Sequence, residues 1–250
     1  MKRTKRYIVF DGKSSLDFDI DLTNVDSYKR PERDTDTTSV PGRNGELTYD
    51  NGRYQNITIT YGCKLWRASA EKFSKAFNSF TDFLLSHQDT YYRLEDSMDS
   101  NYFRMAKFTD GIDPDIKDAW DGPRYAEFDM KFDCKPQHFL KSGESVTTVS
   151  SGSTATLSNP TYQNAKPLIR IYCTGSGTVG IGSETVTIAK GATAYIDLDC
   201  DLHLAYEDTQ NRGSLVTLTG WPVLKASGDT GITMSGDVTK VEITPRWYTI

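Results

Sequence analysis

Asp197, Asp199 and Asp201 recur at every second position, with Leu198, Cys200 and Leu202 between and after them. With Glu207 and Asp208 close behind, they are the hard oxygen donors that Ca²⁺ takes. A strand-like repeat aims them along one face, however, and calcium sites gather ligands from loops that can wrap the ion. A solvated face is the plainer reading. Asp17, Asp19 and Asp21 repeat the pattern against Leu16, Phe18, Ile20 and Leu22 within residues 16–25. Neighbouring carboxylates suggest acid/base chemistry, but like charges side by side on a sheet face are tolerable only in water, so this too reads as a solvated face.

The other chemistry-bearing residues assemble no site either. His87 lies at a helix end, where a cation is favourable; His138 follows Pro136 in an apparent linker, and His203 falls in a strand. No HExxH or H-x-H spacing links them. Gly175-Ser-Gly-Thr-Val-Gly-Ile-Gly182 has the wording of a phosphate cradle. No helix follows it, so no helix dipole is available to hold an anion, and a twisted strand with a turn explains it better. Nucleophile elbows, Walker loops and dinucleotide fingerprints are absent. Cys63, Cys134, Cys173 and Cys200 lie far apart in apolar, strand-like surroundings and read as buried reduced thiols. Trp221, beside Pro222, could stack a sugar ring or close the core, and both readings stand. No catalytic residue, cofactor-binding residue or metal ligand is assigned.

The elements around these residues are mostly strands. Tyr7–Phe10 and the 16–25 run open a β-rich first part, and Ile57, Ile59 and Tyr61 continue it. Residues 29–39 are charged and threonine-rich without an apolar anchor, which predicts a mobile loop. Pro41-Gly42, Asn44-Gly45 and Asn51-Gly52 are three turn signals in a dozen residues, marking a protruding hairpin over 40–61. The one helix spans about 69–85: Phe73, Phe77, Phe80 and Leu84 form a single stripe behind an N-cap at Ser69. Further strands follow at 91–94 and 102–108, then a turn at Asp121-Gly122-Pro123. The alternating run from Ala126 to Cys134 closes this part. Residues 141–160 are rich in Ser, Thr and Gly, a composition that marks a junction. Short strands with tight turns beyond it describe a β-sandwich or jelly roll. The expected organisation is an α+β domain over 1–140 and a sandwich over 141–250. The final strand, 238–250, ends in Pro-Arg-Trp-Tyr; its aromatics need cover, for which the first domain is one candidate.

The formal net charge is −5. Residues 1–134 carry 20 Lys/Arg against 24 Asp/Glu, so this densely charged part is not basic. That balance argues against a dedicated nucleic-acid binder. Nothing approaches the ~20 apolar residues of a membrane span, and Tyr7-Ile-Val-Phe10 is too short to serve as a signal-peptide core. Membrane insertion is not expected, and synthesis in a cytoplasm is.

Three stretches, in this order, resemble the distal tail protein (Dit) family of long-tailed, non-contractile bacteriophages. They are Val40-Pro-Gly-Arg-Asn-Gly-Glu-Leu47, Tyr172-Cys-Thr-Gly-Ser-Gly-Thr-Val179, and Ser235-Gly-Asp-Val238 leading to Ile243-Thr-Pro-Arg-Trp247. The resemblance spans essentially the whole chain and implies a galectin- or carbohydrate-module-like C-terminal sandwich. It also implies a structural virion protein: a ring, usually of six copies, at the tip of the tail. Tail tube protein would lie on one side of the ring and the tail-associated spike or fibre protein on the other. The sandwiches would face outward, in some members carrying receptor-binding proteins, and DNA would pass through unbound. On that reading Arg43, Asn44, Glu46, Tyr49 and Tyr54 of the hairpin form an inter-subunit arm. Two rivals are weighed beside it. One is a carbohydrate-binding sandwich using Trp221 for host-surface attachment. The other is a glycoside hydrolase, which needs two carboxyl groups facing a groove.

Overall fold

Every second residue from Ala126 to Cys134 is apolar, and only a strand points all five the same way. A computed structural model describes residues 5–118, 124–189 and 194–250; the expected turn at Asp121-Gly122-Pro123 lies outside the described residues. The alternating run is the centre of a long strand, Arg124–Leu140, with its apolar residues buried and Glu127, Asp129 and Lys131 exposed. The chain divides into two compact units, the first running to His138 and the second from Phe139 to Thr249.

In the first unit, β1 (Ile8–Phe10), β2 (Lys13–Ser14) and β3 (Ile20–Val25) precede β4 (Arg33–Ser39), β5 (Glu46–Tyr54) and β6 (Ile57–Arg67). Helix α1 (Ala70–Leu85) leads to β7 (Tyr92–Asp96), β8 (Tyr102–Phe108), β9 (Asp115–Asp118) and β10, the long strand. The sheet order is β2-β1-β7-β8-β10-β6-β3, with β9 also on β10. Ser69 caps α1 by accepting from the Lys72 N–H at 3.4 Å. The helix buries Phe73, Phe80 and Leu84, and Phe77 meets Phe128 edge-on at 5.6 Å. Each such side chain, once buried, contributes roughly 1.5–3 kcal/mol.

The acidic run at 16–25 is not one strand. Ser15–Phe18 is a 3-10 turn closed by a capping box: the Ser14 side chain accepts from Leu16 N–H, and Asp17 accepts from Ser14 N–H at 2.9 Å. Asp19 then takes a left-handed conformation (φ 57°), so alternation restarts only at Ile20. A capping turn and a strand share a spacing here, and local hydrogen bonding decided between them.

The second unit contains β11 (Thr147–Ser150), β12 (Ala155–Ser158), β13 (Leu168–Ile181), β14 (Glu184–Ile188) and β15 (Tyr195–Asp199). Then come β16 (Leu204–Glu207), β17 (Gln210–Asn211), β18 (Val216–Leu218), β19 (Asp229–Thr244) and β20 (Tyr248–Thr249). Two long antiparallel strands, β13 and β19, each serve both layers of the sandwich. One half runs β11-β19-β13-β15-β16-β17; in the other, β12 pairs with the start of β19, and β14 and β18 extend from the end of β13. Ile169 and Ile171 from the first half share a core with Val179, Ile181, Val186 and Ile188 from the second. Not every strand here is short: β13 runs through fourteen residues and is interrupted only by register shifts between Tyr172 and Gly177. The glycines there serve close backbone approach. A Cβ at Gly177 would meet the Ser235 carbonyl at 2.6 Å, and Gly236 opposite takes φ 70°.

The Pro-Arg-Trp ending is pinned within this unit. Trp247 joins the core, and its carbonyl accepts from Leu140 N–H at 2.8 Å. Arg246, at φ 58°, donates its own N–H to the Gly143 carbonyl at 2.8 Å. A Cβ added at Gly143 would run into the backbone of Trp247. Gly143→Ala is therefore expected to lower the stability of this unit by about 2–3 kcal/mol, read as a shifted denaturant midpoint.

Candidate functional site

Residues 29–39, expected as a mobile loop, instead supply β4, which pairs with β5 in a separate two-stranded sheet. The hairpin thus covers 33–54 rather than 40–61, with its tip at 40–45. Of its three turn signals, Asn51-Gly52 turns nothing. Gly52 (φ 73°) lies within β5 near a register shift in the ladder, its N–H bonded to Asp50 Oδ1 at 2.8 Å. The periodicity could not reveal β4 because neither strand has a buried face. Pairing and cross-strand charge hold the hairpin instead. Arg33 Nε donates to both Asp50 oxygens at 2.9 and 3.0 Å, Arg53 Nε donates to Asp34 at 2.6 Å, and the Arg33 guanidinium lies 4.8 Å from the Tyr54 ring. Hydrogen bonds from these arginines hold Asp34 and Asp50 below the usual carboxylate range. Arg43, Asn44 and Glu46 are exposed at the tip; Tyr49 is 70% exposed, and Leu47 is exposed as well. Tyr54 is half-buried at the base.

A second assembly, on β7, β8 and β10, escaped the sequence reading. His138 belongs to no linker: it is buried on β10, its ring 4.5 Å from Tyr102 and its Nε2 3.9 Å from Asp99. Burial, helped by the charges of Arg104 and Arg30, lowers its pKa to about 3. Arg104 is buried too, and burial lowers its pKa, while burial raises that of Asp99. Asp96 accepts from the Ser27 hydroxyl and from Met98 N–H. His138, Tyr102 and Arg104 come from two different strands, and Asp99 and Arg30 from the connections, so no local spacing announces the cluster.

In the second unit Asp201 is exposed, but Asp197 and Asp199 are not on a solvated face. Asp197 and Asp199 are buried on β15 and each meets an arginine. Arg170 Nε and Nη2 bind Asp197 at 2.7 Å each, across the register that pairs these residues. Arg246 Nη1 and Nη2 bind Asp199 at 2.9 and 3.0 Å, and Asp199 Oδ1 also accepts from the N–H groups of Asp201 and Leu202. Burial pushes the Asp199 pKa up, but these hydrogen bonds outweigh it and hold the carboxyl below its usual range. Among the described residues no group of three His, Cys, Asp or Glu is placed to hold a metal ion. All four cysteines are buried thiols; burial pushes those of Cys134 and Cys200 up to about 12. Trp221 is half-buried and stacks on His203 at 4.7 Å and 18° beside a cavity of about 160 Å³. A groove of about 710 Å³ in the first unit gathers Asp110, Asp113, Glu127 and Asp129. Lys131 hydrogen-bonds Asp110 and lowers its pKa, the reverse of what a glycosidase's general acid needs.

No protein-family model matches this chain, and no curated protein sequence does. Its fold is found in the crystal structure of the Dit protein (gp 19.1) of SPP1, described as a paradigm of the hub adsorption apparatus in phages infecting Gram-positive bacteria. The two superpose with a TM-score of 0.74 over 99% of this chain and 100% of that one, at 12% identity. The mainly-β architecture with one α-helix, expected from the periodicity of the sequence, is the architecture found among the described residues.

Proposed function

We propose that this chain is a structural subunit of a phage tail tip, a hub protein rather than an enzyme. The observation that carries the reading is the end-to-end match of fold with SPP1 Dit. In this reading six copies close a ring through their first units. The ring joins the tail tube protein to the tail-associated spike or fibre protein, and the second units are available to receptor-binding proteins. DNA passes through without being held, and an acidic balance in the ring-forming part suits that passage, because a basic lumen would grip phosphates. The protein would reside in the virion at the tail tip after synthesis in the bacterial host's cytoplasm.

The hairpin β4–β5 supports the arm assignment. Two-stranded hairpins are at best marginally stable alone in water, and this one presents Leu47 and Tyr49 to solvent without an apolar face of its own. A neighbouring copy would supply the missing cover, with Arg43, Asn44, Glu46 and Tyr49 in the contact. Light scattering and negative-stain images of the purified chain are expected to give a closed ring of about six copies. Deleting residues 41–53 is expected to leave a folded monomer and no ring; rings that persist after the deletion would remove the hairpin from the interface.

A further inference from the structure

Asn44-Gly45 and Asn51-Gly52 are the same dipeptide, seven residues apart in one hairpin, and the fold treats them oppositely. An asparagine before a glycine is prone to lose its side-chain amide, because the glycine nitrogen has no Cβ beside it to obstruct attack on the asparagine side chain. Asn44-Gly45 lies in the tip, outside the ladder, whose last pair is Ser39 with Glu46. Asn44 is exposed, and among the described residues neither its side chain nor the Gly45 N–H has a hydrogen-bond partner. Gly45 sits at φ 82°, and nothing lies within 4 Å of the position a Cβ would take there. The Asn44 carboxamide is therefore free to swing onto the Gly45 nitrogen.

Asn51-Gly52 lies inside β5 and is tied at both residues. Asn51 Nδ2 donates to Asp36 Oδ2 on the neighbouring strand at 3.1 Å, which holds the amide across the ladder. The Gly52 N–H donates to Asp50 Oδ1 at 2.8 Å. The hydrogen bond from Arg33 holds Asp50 below the usual carboxylate range, so this acceptor is ionised. Removing the Gly52 proton would leave two negative groups in contact. Both bonds must open before Asn51 can react.

We propose that Asn44 is a site of spontaneous modification, converted to aspartate and isoaspartate, while the β4–β5 ladder protects Asn51. The Gly45 nitrogen gives up its proton to hydroxide and attacks Asn44 Cγ. The N–Cγ bond forms, the Cγ–Nδ2 bond breaks, and Nδ2 takes a proton from water and leaves as ammonia. A second water opens the five-membered imide at either carbonyl, giving aspartate or isoaspartate. Both products put a carboxylate where the tip carried a neutral amide, and isoaspartate also reroutes the tip backbone through Cβ. The inference rests on the hairpin's own hydrogen bonds and not on ring formation.

The test is peptide mapping of the full chain, incubated in mildly alkaline buffer at a dilution where light scattering gives the monomer mass. A lysine-specific protease, cutting after Lys29 and Lys64, releases residues 30–64 as one peptide, and its fragment masses assign the converted asparagine. An unincubated sample sets the baseline for conversion during digestion. Asn44 is expected to convert at least about tenfold faster than Asn51, because only Asn51 needs two hydrogen bonds to open first. In guanidinium, where the ladder is gone, the two rates are expected to agree within about threefold. Asp36→Ala is expected to speed conversion of Asn51 in buffer and to leave that of Asn44 unchanged. Native Asn51 converting as fast as Asn44 overturns the inference. So does a preference for Asn44 that persists unchanged in guanidinium, which would assign it to the flanking Arg43 and Asp50 rather than to the fold.

Discussion

Arg246→Ala is expected to cost the second unit about 3–5 kcal/mol, the range for removing one partner of a buried ion pair. The loss has a specific origin. Asp199 is only 3% exposed, and its two arginine hydrogen bonds, at 2.9 and 3.0 Å, are the largest of the contacts that together outweigh its burial. Without the guanidinium, the carboxylate keeps only the N–H groups of Asp201 and Leu202 and must either stay charged in a dry site or take up a proton. Because its folded pKa is depressed in the native chain, Asp199 contributes stability above the ordinary carboxylate pKa, and that contribution fades as pH falls through the folded value. The variant should lose this acid dependence along with the stability. Arg246→Ala with Asp199→Asn is expected to recover part of the loss, since an amide is cheaper to bury than an unpaired charge. Urea titrations of the four members of this double-mutant cycle at pH 7 check the prediction, and a cost below 1 kcal/mol for Arg246→Ala would refute it.

Acidification from pH 7 to pH 4 is expected to remove about 3 kcal/mol from the first unit through His138 alone. The sign follows from its lowered pKa of about 3. Below about 6.5 the unfolded chain binds a proton at His138 that the folded chain refuses, so stability falls as pH drops and levels off near pH 3. Asp99 opposes this. Burial raises its pKa, so it takes up a proton more readily in the folded chain as pH falls. Arg104 and Arg30 supply the positive charge against which a protonated His138 would stand, Asp99 lies 3.9 Å away, and Tyr102 covers the ring. Replacing His138 with glutamine should flatten stability between pH 6.5 and 4 while lowering it somewhat at pH 7. Guanidinium midpoints measured at half-unit steps would show this, and an unchanged pH slope in the variant would assign the acid loss elsewhere.

How much of this was legible beforehand differs by element. The helix from Ala70 to Leu85 and the strand through Ala126–Cys134 were plain, because one face of each is buried and burial writes its period into the sequence. Strand β4 was illegible for the opposite reason: both of its faces meet solvent, so threonines, aspartates and an arginine carry no period, and only pairing with β5 defines it.

Residue order along the chain was enough for the mainly-β class with one helix and for the stripe that seats the helix. These follow from local periodicity and order, which survive without knowledge of distant contacts. The tertiary structure alone decided the fate of the charges. Asp197 and Asp199 looked solvated until Arg170 and Arg246, from other strands, were brought against them. His138 looked like a linker residue until β8 laid Tyr102 and Arg104 nearby. An ionisable side chain's role depends on what long-range packing places within a few ångströms, and no spacing along one strand records its partner on another.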